Sequence, residues 1–175
     1  MLCISYQVHF PMNSIQRLAS KLGGQLIAKN MRVTTAESCT GGGVAQAITR
    51  VPGSSGWFEL GFVTYSNRVK RQQLGVDPAK LLKYGAVSEE VVKEMVMGAL
   101  RISQAGVGVA VSGVAGPEGG SPEKPVGCVW FAWLLANGIS NTARYQFDGD
   151  REMIRRQSVE VALTGLIEII ENSTF

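Results

Sequence analysis

Two short segments of this 175-residue chain hold side chains able to begin a nucleophilic reaction. The first is Ala36-Glu37-Ser38-Cys39-Thr40-Gly41-Gly42-Gly43. It follows a β-branched stretch that reads as a strand (32–36) and precedes a helical stretch (44–50), so its hydroxyl sits on a sharp strand-to-helix turn. Amides that open a helix lack intrahelical partners and can hold an anion, either a phosphate or a developing oxyanion. The glycines allow a ligand close to the backbone. The turn is neither a Walker A loop, which ends in Gly-Lys-Ser/Thr, nor a GxGxxG fingerprint. Cys39 is an alternative nucleophile to Ser38, but only with a lysine or helix dipole to lower its pKa.

An attacking hydroxyl must lose its proton, and the chain has one histidine, His9, in its first ten residues. A Ser-His-Asp or Cys-His site in the body of the chain is therefore excluded, as is a histidine-based zinc site. The remaining bases are Lys, Tyr, Glu and Asp. The second segment, Val63-Thr64-Tyr65-Ser66-Asn67-Arg68-Val69-Lys70, offers Tyr65 and Lys70 at a strand-to-helix junction. A lysine acts as a base when burial or nearby positive charge depresses its pKa. Without such burial, Arg68, Lys70 and Arg71 are a solvated helix face.

Two further segments are candidates for binding. The run from Ser112 to Gly127 is too rich in Gly and Pro for a regular element, and loops this long inside compact domains are usually functional. Ser112, at its start, can hydrogen-bond a substrate or help form an oxyanion hole. In Phe147-Asp148-Gly149-Asp150-Arg151, an arginine at a helix start can clamp phosphate or pair with the capping aspartates. These acidic residues lack metal-loop spacing.

The elements that position these segments follow from periodicity. Helices are expected over 14–29, 44–50, 67–74, 78–84, 88–104 and 151–171. Asn13 or Ser14 caps the first, Gly23-Gly24 weakens its middle, and Ser88 caps the fifth. Strands are expected over 32–36, 58–66 and 107–112, with a hairpin of 126–136 and 142–147 around Asn137-Gly138. The run 107–112 is apolar throughout, as a central strand buried on both faces should be. Helices at both ends with strands between them predict a three-layer α/β/α sandwich, made mixed by the antiparallel hairpin. Residues 1–12 read as a tail or extended lead-in, and 13–175 as a single domain.

Composition bounds the function classes. Apolar residues are 45% and charged residues 18%, which excludes a disordered chain. A net charge of +3 favours anionic ligands but is too weak for a nucleic-acid footprint. The three cysteines (Cys3, Cys39, Cys128) form no CxxC and read as free thiols in a reducing compartment. The longest apolar run after the lead-in, 126–136, is far short of the ~20 residues of a membrane span. A cytoplasmic protein with no nucleic-acid or membrane partner is expected.

Five stretches together resemble the CinA C-terminal domain family, the nicotinamide-nucleotide amidohydrolases of the PncC type. They are TTAESCTGGGVAQAIT (34–49), VPGSSGWFELGFVTYSNRVKRQQLGV (51–76), YGAVSEEVV (84–92), VSGVAGPEGGSPEKPVG (111–127) and FDGDREMIRRQ (147–157). The resemblance covers nearly the whole chain beyond about Ser14. It implies hydrolysis of the carboxamide of nicotinamide mononucleotide to nicotinic acid mononucleotide and ammonia, with no metal and no cofactor. It implies a serine amidase in which Ser38 matches the nucleophile and Tyr65 and Lys70 the proton-handling partners. The substrate-binding positions it implies are Glu37, Cys39, Thr40, Gly41, Gly42, Asn67, Ser112, Gly113, Gly116 and Arg151. It further implies a small-molecule nucleotide substrate and a homodimer or higher homo-oligomer. The alternative is an inactive paralogue that binds a nucleotide or a protein partner.

Overall fold

The computed structural model describes residues 14–173; the lead-in, the Asn13 cap, His9 and Cys3 lie outside the described residues. The elements run α1 (Ser14–Ala28), β1 (Val33–Glu37), α2 (Gly43–Thr49), a 3₁₀ turn (Ser54–Gly56), β2 (Phe58–Val63), α3 (Asn67–Leu74), α4 (Pro78–Tyr84), α5 (Glu89–Ser103), β3 (Val107–Gly113), β4 (Cys128–Leu135), β5 (Ser140–Gln146) and α6 (Arg151–Glu171). The strands form one sheet in the order β2-β1-β3-β4-β5. β1 runs parallel to β2 and β3, and β4 antiparallel to β3 and β5. Helices α1, α2 and α6 cover one face; α5, flanked by α3 and α4, covers the other. This is the expected three-layer sandwich with a mixed sheet.

The apolar run of β3 hides a period of two. Val107, Val109 and Val111 join the core beneath α1, α2 and α6, while Ala110 joins the core beneath α5. Gly108 also faces α5, because a Cβ there would sit 3.2–3.3 Å from Val96 and Leu100. Small residues on that face let α5 lie close to the sheet.

Several boundaries differ from the expected ones by one to three residues: the hairpin strands are 128–135 and 140–146, not 126–136 and 142–147, and at β2 a capping residue is the cause. Strand β1 extends through Glu37. Strand β2 stops at Val63, since Ser66 leaves the sheet to cap α3, its hydroxyl accepting the Val69 N–H at 3.3 Å. Ser88 caps α5 as expected, accepting from the Val91 N–H. Ser14, by contrast, is the first residue of α1, and its hydroxyl donates to Glu160. Nor does Gly23-Gly24 interrupt α1. A Cβ at Gly23 would lie 2.7 Å from the Trp57 ring, so the glycine is the seat for that buried indole.

The parallel register brings three chain segments to one sheet edge. Glu37 aligns with Val63 of β2 and Val111 of β3. The residues that follow (Ser38, Thr64-Tyr65 and Ser112) therefore emerge side by side at the carboxyl ends of the strands. The chain leaves β1 towards α2 on one face and β2 towards α3 on the other. That divergence opens the crevice where ligands bind in open α/β sheets. No described helix is long and apolar enough to cross a membrane.

Helix α3 brings Lys70 to this edge, and its place is set by contact with α5. A Cβ at Gly98 of α5 would lie 2.0 Å from the Leu74 carbonyl oxygen at the end of α3. Replacing Gly98 with alanine should force the helices apart and cost about 1–3 kcal/mol in urea unfolding. An unchanged unfolding midpoint would mean that the contact is looser than the geometry states.

Candidate active site

Ser38 follows the last residue of β1, and its N–H extends the sheet ladder to the Val111 carbonyl at 2.9 Å. Its hydroxyl lies 2.9 Å from the Lys70 Nζ. The amine also faces the carbonyls of Thr64 at 2.7 Å and Tyr65 at 3.4 Å. Lys70 is 1% exposed and forms no ion pair among the described residues. Burial lowers its pKa from the ordinary 10.5 to about 8. As an ammonium, Nζ donates to all three oxygens. As a free amine it keeps two N–H groups for the two carbonyls, and its lone pair accepts the Ser38 hydroxyl proton. The carbonyls thus aim the basic position at the nucleophile.

Cys39 is buried beside this pair. Burial, with the Glu37 charge adding, pushes its thiol up to about 12. A thiol held protonated is a poor nucleophile.

The turn after Ser38 is organised from within. The Glu37 carboxylate accepts from the Thr40 hydroxyl at 2.7 Å and the Thr35 hydroxyl at 3.3 Å. It also accepts from the N–H groups of Val44 and Ala45 at 3.0 and 2.9 Å. The Gly41 N–H donates to the Ser38 carbonyl and the Gly43 N–H to the Thr40 carbonyl. Gly41 and Gly42 adopt positive φ, 59° and 92°, as the tight return requires. The guanidinium of Arg155 donates to the Thr40 carbonyl at 2.8 Å and lies against Gly41.

Ser38, Cys39 and Lys70 line a pocket of about 210 Å³ with Ser112, Gly113 and Ala115 of the β3–β4 connection. Ala86 and Val87 close a side, and Tyr65 and Arg151 stand at the mouth. The Ser112 hydroxyl donates to the Ala86 carbonyl at 2.8 Å, fastening the α4–α5 connection to the pocket wall. Tyr65 is 60% exposed, and its hydroxyl accepts from Arg151 Nη2 at 3.1 Å; it is the backbone carbonyl of Tyr65 that meets Lys70. Arg151 Nη1 donates to the Gly116 carbonyl at 2.8 Å. A larger concavity of about 830 Å³ lies between α5 and the β4–β5 hairpin, but its lysine, Lys93, is tied to Glu89.

The pattern of the CinA C-terminal domain matches residues 15–170 of the sequence. The chain belongs to that family. A protein of Pseudomonas putida called nicotinamide-nucleotide amidohydrolase PncC is 59% identical over 158 residues, covering 90% of this chain and 98% of its own. The protein of the same name from Escherichia coli K12 is 53% identical over 154 residues, 88% of this chain and 93% of its own. Among solved structures, a competence/damage inducible protein from Agrobacterium tumefaciens superposes with a TM-score of 0.89 at 43% identity. It covers 93% of this chain and 99% of that one.

Within this CinA-family pocket the candidate residues divide. Ser38, Cys39, Tyr65, Lys70, Ser112, Gly113 and Arg151 come together, and Gly116 supports Arg151. Glu37, Thr40, Gly41 and Gly42 do not line the pocket; Glu37, the Thr40 hydroxyl and the Gly41 N–H bond within the turn or the start of α2, and the Thr40 carbonyl accepts from Arg155. Asn67 is exposed at the start of α3 and does not line the pocket. Sequence reasoning missed Ala86 and Val87, since apolar residues on a connection carry no chemical signal. It also missed the Thr64 and Tyr65 carbonyls, because main-chain acceptors have no residue type.

Burying the Lys70 amine has a consequence for stability. Between about 8 and 10.5 the folded chain binds fewer protons there than the unfolded chain. The amine therefore costs stability below about 8, and the cost fades as pH rises towards 10.5. Relative to the unaltered protein, the unfolding free energy of a Lys70→Met variant should fall by roughly 2–3 kcal/mol from neutral pH to the alkaline end of that range. A difference that stays flat across the range means that burial does not perturb the amine.

Proposed function

We propose that the chain hydrolyses the carboxamide of nicotinamide mononucleotide to nicotinic acid mononucleotide and ammonia, with Ser38 as nucleophile and Lys70 as its base. The observation that carries this reading is the 2.9 Å approach of a buried lysine amine to a serine hydroxyl at the strand ends. The names of relatives more than half identical to the chain supply the substrate.

In the acylation step the free Lys70 amine takes the Ser38 proton as Oγ bonds to the carboxamide carbon. The tetrahedral adduct collapses with loss of the C–N bond, and the Lys70 ammonium returns its proton to the departing nitrogen, which leaves as ammonia. Water then attacks the Ser38 ester, again deprotonated by Lys70. It releases the carboxylate product, and the serine recovers its proton. Ser112 serves this scheme by holding Ala86 in the wall, and Glu37 by holding the turn on which Ser38 stands.

Ammonia release from the mononucleotide tests the roles directly. Ser38→Ala should lose at least about 10³-fold in turnover with its thermal transition intact, whereas Cys39→Ala should retain activity. Turnover by Ser38→Ala at the rate of the unaltered protein removes the nucleophile from this scheme.

The base makes a second prediction. Because only the free amine accepts the proton, log(kcat/KM) should rise with a slope near one below about 8 and level off above it. A Lys70→Arg variant, whose guanidinium stays protonated, should lose that limb along with the activity. A flat profile across this range in the unaltered protein assigns the proton transfer to another group.

A further inference from the structure

We propose that Arg151 is the residue that recognises the substrate's phosphate, so that the nucleotide lies with its carboxamide inward at Ser38 and its phosphate at the pocket mouth. The inference rests on the mononucleotide reading above and settles an orientation that the sequence leaves open between the Gly41–Gly43 turn and the α6 start.

Most donors of the turn are taken by its own bonding, and none of Gly41, Gly42 and Gly43 lines the pocket. The Val44 and Ala45 amides are held by the Glu37 carboxylate, and those of Gly41 and Gly43 by the Ser38 and Thr40 carbonyls. A phosphate placed there would meet a buried carboxylate, and like charges in a buried site repel strongly.

The cations near the pocket are not equivalent. The Lys70 donors are committed to Ser38 and two carbonyls, and the amine lies at the buried end. Arg155 reaches the back of the turn at the Thr40 carbonyl and does not line the pocket. Arg151 lines the pocket and forms no ion pair among the described residues. Its guanidinium donates to the Gly116 carbonyl and the Tyr65 hydroxyl, and both are neutral. The neighbouring carboxylate of Asp150 is taken up in capping α6, accepting the Met153 N–H at 2.9 Å. A guanidinium has five donors in a planar fork suited to phosphate, and here it meets no carboxylate among the described residues.

The spacing fits a mononucleotide. Tyr65 meets Lys70 with its backbone carbonyl and Arg151 with its ring hydroxyl, so a tyrosine side chain separates the amine from the guanidinium. In the substrate the pyridinium ring and ribose separate the carboxamide from the phosphate. The uncharged amide suits the buried end of the 210 Å³ pocket, and the dianion suits the exposed end.

The test compares nicotinamide mononucleotide with nicotinamide riboside, which lacks the phosphate, in turnover and in calorimetric binding to the Ser38→Ala protein. Arg151→Gln should raise KM for the mononucleotide roughly 10- to 100-fold, with a much smaller effect on kcat/KM for the riboside. Arg151→Lys should recover part of the loss. In the Ser38→Ala background, the preference for mononucleotide over riboside should disappear when Arg151→Gln is added. If that preference survives, or if both ligands weaken equally, or if there is no preference to begin with, Arg151 does not read the phosphate. An unaltered protein that releases no ammonia from the mononucleotide overturns the amidase reading instead, while the binding comparison still decides the role of Arg151.

Discussion

A lysine amine held out of water beside a serine hydroxyl is the constraint around which the rest of this molecule is arranged. An ammonium in that position is costly, because burial removes its hydration and no carboxylate among the described residues pairs with it. The chain accepts that cost and turns it into basicity near neutral pH. Two main-chain carbonyls take up the N–H groups and leave the third direction facing Ser38. A counter-charge would have stabilised the fold, but it would also have raised the amine's pKa and weakened it as a base at neutral pH.

Holding that geometry needs rigid support on both sides. On the serine side, a buried carboxylate one residue before the nucleophile gathers two hydroxyls and two helix-opening amides. On the lysine side, α3 is short and polar, and it is fixed mainly by its approach to α5 at Gly98 and by caps at Ser66 and Gly75. The register of three parallel strands then sets the distance between the two sides. Small changes in α3 placement therefore act directly on the amine–hydroxyl separation, although neither Gly98 nor Ser66 touches the pocket.

The pocket itself is assembled from connections. The β3–β4 loop, the α4–α5 connection and the start of α6 each contribute one wall, and they are tied together by side-chain-to-carbonyl bonds from Ser112, Arg151 and Lys124. Such ties specify the shape of the connections without demanding particular residues at the points they hold. The walls can thus carry apolar residues such as Ala86 and Val87 while the chemistry stays with Ser38 and Lys70.

Much of this was legible in the residues. The lack of a histidine in the body of the chain leaves Lys, Tyr, Glu and Asp as bases, the family resemblance singles out Ser38, Tyr65 and Lys70, and the alternating elements predict the layers. Local rules suffice there: capping hydroxyls, positive-φ glycines and apolar periodicity act within a few residues. What only the tertiary structure decided is which groups are spent on the fold and which remain for a ligand. The turn after Ser38 has the composition of an anion site, yet Glu37 takes up the Val44 and Ala45 amides, and those of Gly41 and Gly43 go to the Ser38 and Thr40 carbonyls. Tyr65 offers its carbonyl to the lysine and its hydroxyl to Arg151. Those outcomes depend on which donors and acceptors meet across strands and helices. Burial obliges each polar group to find a partner, and a linear sequence does not say which partner is near.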